Sequence, residues 1–242
     1  MVSPALKMSY PEKQARAAQK RAVLLGFLAS GEVWTTLATA AELLQATERT
    51  ALRLLQTLVQ EKLLKVDEGI VPHSNLKIYG ITSHGIAMTE TAPPAAREFQ
   101  IGRTNPSWVE HHVQGQLIRI RAEQAGWTSW VPGKLLMVEN TARLKKLPDA
   151  LSTRPDGRQV AIEIERYVKS HKRMADVVGA HLQQIVQKKY DIVYYFTPSK
   201  AALDRAFARV GFVVVDGNKI KLQDSHRARF KTFEIKSYQG EM

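Results

Sequence analysis

Residues 160–165 read Val-Ala-Ile-Glu-Ile-Glu, and no other run limits the possible folds as strongly. Val160, Ile162 and Ile164 alternate with Ala161, Glu163 and Glu165, the period-two pattern of a strand with one apolar face and two carboxylates on the other. The run leads into a long basic amphipathic helix expected over 168–189, and then into a second strand over 191–196. A strand feeding a crossover helix is usually central and covered on both faces. Neighbouring carboxylates there are costly unless a cation or ion pairs with them. The fold must supply that partner.

The surrounding pattern alternates helix and strand. Val109, Val113, Leu117, Ile118 and Ile120 recur at helical spacing within 108–125. Leu135-Leu-Met-Val and Asp149-Ala-Leu are short strand candidates, and a helix over 199–209 leads to a strand at Phe212-Val-Val-Val. This order predicts an α/β domain with a mixed central sheet. The first part reads differently. Pro11 sits where a first helical turn tolerates it, and the helix it opens ends at Gly31. A short helix over 36–45 and a third helix capped by Thr47 follow, with Ala51, Leu52, Leu55, Leu58, Val59 and Leu63 marking one side. Leu64-Lys-Val and Leu76-Lys-Ile-Tyr-Gly-Ile then bracket a loop over 67–75. Three helices followed by a hairpin, closed by Tyr79-Gly-Ile-Thr-Ser-His-Gly, resemble a winged helix-turn-helix. The stretch 90–105, with Pro93, Pro94 and Gly102, breaks the periodicity. The expected division is a winged helix over 1–95, a linker over 96–105 and an α/β domain over 106–242.

Charge indicates the partner. The 242 residues carry 35 Lys and Arg against 23 Asp and Glu, a formal net charge of +12. Residues 1–95 hold 10 basic and 8 acidic side chains, and residues 96–242 hold 25 and 15. Such a balance favours a polyanion, most often nucleic acid, and places its stronger hold in the second part. The absence of cysteine excludes disulfides, thiolate metal sites and a cysteine nucleophile. No apolar run could span a bilayer, and 1–19 lacks the apolar core of a secretory signal. The expected setting is cytoplasmic, with no membrane insertion. No Gly-rich phosphate loop of the Walker type is present.

On the third helix, Arg49, Arg53, Gln56 and Gln60 fall at i, i+4, i+7 and i+11, so they project together. Arg and Gln suit base edges and phosphates alike, which makes this the candidate surface for the major groove of double-stranded DNA. In the second part, Asp149 follows Pro148, fourteen positions before Glu163. Asp149, Glu163 and Glu165 would offer three hard oxygen donors near a sheet end, a set suited to Mg²⁺ or Mn²⁺. Such an ion polarises a phosphodiester and offsets charge on the leaving oxygen. Arg166, Lys169, Lys172 and Arg173 follow the strand, where substrate phosphates would find them.

Pro148-Asp149, thirteen intervening residues and Glu163-Ile-Glu165 resemble the PD-(D/E)XK motif of restriction-endonuclease-like folds, with Glu165 in place of the usual Lys. The winged helix followed by Pro-Asp-Ala and by Ala161-Ile-Glu-Ile-Glu-Arg-Tyr-Val-Lys-Ser is similar to the replication-relaxation family, including MobC-type relaxases of mobilizable plasmids. The resemblance implies a metal-dependent nick at a plasmid origin of transfer, with a mobilization accessory protein and a coupling protein as further partners. It puts Asp149, Glu163 and Glu165 at the metal-binding and catalytic positions. It also implies a further carboxylate from the first helix of the nuclease core, for which Glu110 is available. Lys169 and Lys134 are the candidates to replace the motif Lys.

Two other readings fit the same residues: a non-catalytic DNA-binding replication or mobilization factor with structural carboxylates, and a winged helix that docks a protein. His111-His112 are consecutive in a helical pattern, which suits a core-edge or surface role better than a metal pair. His226-Arg-Ala-Arg229 with Tyr238 is a weak likeness to tyrosine recombinases. Tyr190, Tyr194 and Tyr195 read as core and rim packing.

Overall fold

The computed structural model describes residues 9–70, 74–90, 92–138 and 146–240, and the chain divides into two compact units, Met1–Pro106 and Ser107–Met242. No described helix is long and apolar enough to cross a membrane.

The first unit begins with α1 (Tyr10–Phe27). Ser9 and Glu12 form a reciprocal cap: Glu12 N donates to Ser9 Oγ at 3.4 Å, and Ser9 N donates to the Glu12 carboxylate at 2.7 Å. The helix runs into a π turn, Leu28–Glu32, where Gly31 has φ 111°. There follow β1 (Trp34–Thr36), α2 (Leu37–Leu43), α3 (Glu48–Gln60), β2 (Leu64–Glu68), β3 (Lys77–Ile81) and α4 (Ser83–Ala87). Thr36, Thr47 and Thr82 cap the three later helices with their hydroxyls. The strands form one antiparallel sheet in the order β1-β3-β2. Leu24, Leu28, Leu55, Leu58 and Ile78 close its core. The expected loop 67–75 falls partly outside the described residues.

Residues 96–105 are not the free linker their composition predicts. Phe99 N donates to Ile81 O at 2.8 Å, Gly102 N donates to Asp67 Oδ2 at 2.8 Å, and Ser83 Oγ donates to Glu98 Oε2 at 2.9 Å. The Phe99 ring is buried against Gly80, where a Cβ would lie 2.0 Å from Phe99 Cγ. Only glycine leaves room for it.

The second unit runs α5 (Pro106–Gln124), β4 (Thr128–Pro132), α6 (Gly133–Val138), β5 (Ala150–Thr153), β6 (Gln159–Ile164), α7 (His171–Val186), β7 (Ile192–Thr197), α8 (Lys200–Arg209), β8 (Phe212–Val215), β9 (Asn218–Lys221), α9 (Asp224–Arg227) and β10 (Phe230–Glu234). It is an α/β unit on a mixed five-stranded sheet in the order β10-β7-β6-β5-β4. β4, β5 and β6 pair antiparallel, and β6, β7 and β10 pair parallel. β6 is central, as its sequence requires. One face packs Val160 and Ile162 against Ile118 and Ala122 of α5. The other packs Ala161, Val193 and Tyr195 against Met174, Val178 and Leu182 of α7 and Leu203 of α8. Tyr190, Tyr194 and Tyr195 are all buried.

Two strand expectations change. Leu135–Val138 belongs to α6, because β4, ending at Pro132, has already taken the sheet edge beside β5. Phe212–Val215 is a strand but stands outside the main sheet, paired only with β9. Asp216 and Gly217, at φ 48° and 79°, turn it back on itself, and β10 takes the place beside β7.

Phe99→Ala is expected to destabilise the first unit by roughly 3–5 kcal/mol, the usual cost of emptying a buried aromatic site. Urea unfolding of the full chain, followed by Trp34 fluorescence, measures it. A loss below about 1 kcal/mol would mean that the segment adds nothing to this unit.

Candidate active site

The carboxylates collect where β5 begins and β6 ends. Asp149 lies one residue before β5, whose Ala150 is in register with Ile162, and Asp149 N donates to Ile162 O at 2.9 Å. That pairing sets Asp149 opposite Glu163. Glu163 and Glu165 are 4% and 7% exposed, so each needs compensation, and each has it. Lys146 Nζ donates to Glu163 Oε1 at 2.5 Å, and His181 Nε2 lies 3.3 Å from the same oxygen. Glu165 pairs with Lys169, four residues on. Asp149 Oδ2 accepts from Ile164 N at 2.7 Å and lies 3.4 Å from His111 Nε2.

These contacts set the ionisation. Burial pushes the Asp149 carboxyl up, but His111, the Ile164 N–H and Lys146 outweigh it and hold the group below the usual aspartate value. Burial lowers the Lys169 ammonium against the opposing pull of the Glu163 and Asp149 charges. Burial also lowers His181, against the pull of Glu163, and raises the Tyr195 hydroxyl, which the Glu163 charge raises further. The result is an acidic cluster in which Asp149 is held ionised and Glu163 and Glu165 are each paired with a lysine.

One oxygen of each carboxylate, Asp149 Oδ1, Glu163 Oε2 and Glu165 Oε1, accepts no hydrogen bond among the described residues. No three His, Asp or Glu side chains gather closely enough to hold a metal among the described residues. Mg²⁺, however, takes one or two carboxylates and fills the rest of its octahedron with water and substrate phosphate. The facing pair Asp149 and Glu163 suits that demand. Lys146 already pairs with Glu163 and Lys169 with Glu165. Lys169 is therefore a counter-ion to Glu165, while Lys134 lies exposed on α6.

Glu110 does not join the set. Its carboxylate, on the exposed side of α5, pairs with Arg166 and accepts from Gln114 Nε2 at 3.2 Å. One residue later the helix turns inward, and His111 is the α5 side chain that reaches Asp149. His112 contacts Gln116 instead. Arg166 also donates to Ser107 O at 3.0 Å, so its guanidinium is held within the unit. Lys172 and Arg173 are exposed in the first turn of α7, and Arg49, Arg53, Gln56 and Gln60 are exposed along α3.

The pattern of 160–165 did not reveal Lys146, His111, His181 or Tyr190. His181 and Gln184 did leave a signal. They are polar residues i and i+3 on a helix face otherwise made of Met174, Val178 and Leu182, and both are fully buried. Compared with known proteins, the chain matches no family model, and no curated protein matches it.

Because Asp149 is held ionised below its unfolded value of about 3.9, its contribution to stability is present above that value and fades as pH falls through the lower folded one. Asp149→Asn is thus expected to cost stability at neutral pH, with the gap to wild type closing as pH falls below about 4. Urea unfolding across that range measures the gap. A gap independent of pH would show that the carboxylate is not held ionised.

Proposed function

We propose that the chain is a DNA-binding protein that breaks a phosphodiester bond with Mg²⁺ or Mn²⁺, a relaxase acting at a plasmid origin of transfer. The observation that carries this reading is the pair of half-buried Asp149 and buried Glu163, set opposite each other where β5 begins and β6 ends, each with one oxygen that accepts no hydrogen bond among the described residues. A central strand that bears Glu163, with Asp149 beside it at the start of the neighbouring strand, and that feeds a basic crossover helix is what the likeness to restriction-endonuclease-like nucleases implies. The first unit supports a winged helix-turn-helix: α1, α2 and α3 precede the β2–β3 hairpin, and β1 pairs with the inner strand.

Asp149 and Glu163 would hold the cation, which when bound supplies charge to polarise the phosphodiester and lower the pKa of a water. The chain's own residues do the rest. Ile164 N–H and His111 fix Asp149, and Lys146 fixes Glu163. Lys172 and Arg173, exposed at the start of α7, meet substrate phosphates at the positive end of the helix dipole. Arg49, Arg53, Gln56 and Gln60 on α3 enter the major groove of duplex DNA. A mobilization accessory protein and a coupling protein are the further partners of this reading.

A second reading is favoured by one observation: Lys146 and Lys169 already neutralise Glu163 and Glu165. On that reading the chain is a DNA-binding replication or mobilization factor that does not cut.

Supercoiled plasmid carrying the cognate transfer origin separates the two. Wild type is expected to relax it only with Mg²⁺ or Mn²⁺. Asp149→Ala and Glu163→Ala are expected to slow nicking by about 100-fold or more, since loss of a mere supporting contact at a metal site already costs about 10- to 100-fold. Binding without nicking by wild type would select the second reading. In the same binding assay, Arg49→Ala and Arg53→Ala are each expected to weaken affinity and reduce the salt slope by about one. Unchanged slopes would remove α3 from the interface.

A further inference from the structure

A chain of buried hydrogen bonds behind Glu163 runs in one direction only. Gln184 Nε2 lies 3.0 Å from Lys146 O and 3.0 Å from the Tyr190 hydroxyl. A carbonyl can only accept, so the nitrogen of the amide must face it, and the Tyr190 hydroxyl at 3.0 Å, closer than Ala180 O at 3.4 Å, receives the other amide proton. The Tyr190 oxygen is thereby an acceptor toward Gln184, leaving its own O–H to donate to His181 Nδ1 at 2.6 Å. An Nδ1 that accepts leaves the ring proton on Nε2, which faces Glu163 Oε1 at 3.3 Å. Gln184 and His181 are 0% exposed and Tyr190 is 2% exposed, so water does not compete for these donors.

The relay closes on itself through one residue. Lys146 gives its ammonium to Glu163 Oε1 and its carbonyl to Gln184, so both ends of that residue are held by the same network. Oε1 thus accepts from Lys146 and faces His181 Nε2 at 3.3 Å, while Oε2 accepts no hydrogen bond among the described residues.

We infer that His181 is a positioning residue for Glu163: held in its Nε2–H form by Tyr190, it commits Oε1 and leaves Oε2 as the oxygen that meets a divalent cation or its water. This rests on the nuclease reading above, and Tyr190 and Gln184 act through His181.

The test uses the full chain labelled with ¹⁵N-histidine, together with Mn²⁺ titration and nicking kinetics. Wild-type His181 is expected to show the neutral Nε2–H tautomer in nitrogen–proton correlation spectra. His181→Leu, which keeps bulk but no donor, is expected to lower Mn²⁺ affinity and kcat by about 10- to 100-fold, with KM for plasmid unchanged. His181→Gln, which can place an N–H near the lost Nε2, is expected to restore most of both. If His181→Leu fails to fold, Tyr190→Phe makes the same comparison with one oxygen removed and a smaller loss.

An Nδ1–H tautomer in wild type overturns the inference. So does a nicking wild type matched by His181→Leu in Mn²⁺ affinity and kcat. A wild type that neither binds Mn²⁺ nor nicks overturns the nuclease reading and the inference with it.

Discussion

Burying two carboxylates, one on the central strand and one just past its end, is the demand around which the second unit is built. Glu163 sits on β6, the middle strand of five, and Glu165 one residue past its end, both buried where an unpaired charge would cost several kcal/mol. The compensation comes from three directions. Lys146 arrives from the chain before β5, Lys169 from the turn into α7, and His181 from the middle of α7. Each fixes a neighbouring element relative to β6, so meeting the charge also fixes the approach of the helix and the strand. A fully apolar β6 would pack as well, but it would not require any of these three to be where it is.

Much of this was legible in order and little of it in partnership. The alternation at 160–165 was enough to read a central strand, its two faces and the need for counter-charges. The identity of the partners was not readable, because Lys146 lies 17 residues before Glu163 in a stretch without periodicity and His181, a neutral partner, lies in a helix whose register is set only by packing. Glu110 illustrates the same limit. Its neighbour His111 points at Asp149, and a helical rotation of one residue, invisible in spacing alone, decides between them. At Leu135–Val138 a four-residue apolar run suits helix and strand equally, and the strand ahead of it settled the matter. The hairpin that takes β8 away from the main sheet was likewise not read from Asp216-Gly217, where the backbone turns.

The basic excess of the chain also divides once the contacts are known. Part of the positive charge in the second unit is internal compensation, in Lys146, Lys169 and Arg166. Lys172 and Arg173 remain exposed, as do Arg49 and Arg53 on α3. Net charge therefore overstates what the second unit offers to a polyanion and understates the first unit, whose smaller excess includes a row of outward-facing side chains.

The seat that Gly80 makes for Phe99 has a consequence for how the chain can be divided. A fragment cut where the composition changes, near residue 95, would keep β3 but lose the ring that covers it, the amide that meets Ile81 O and the amide that meets Asp67. It would expose an apolar hollow over the central strand of its sheet, a surface open to self-association. The natural seam lies past Gly102, so the shortest self-sufficient N-terminal piece includes the very residues that look like its tether.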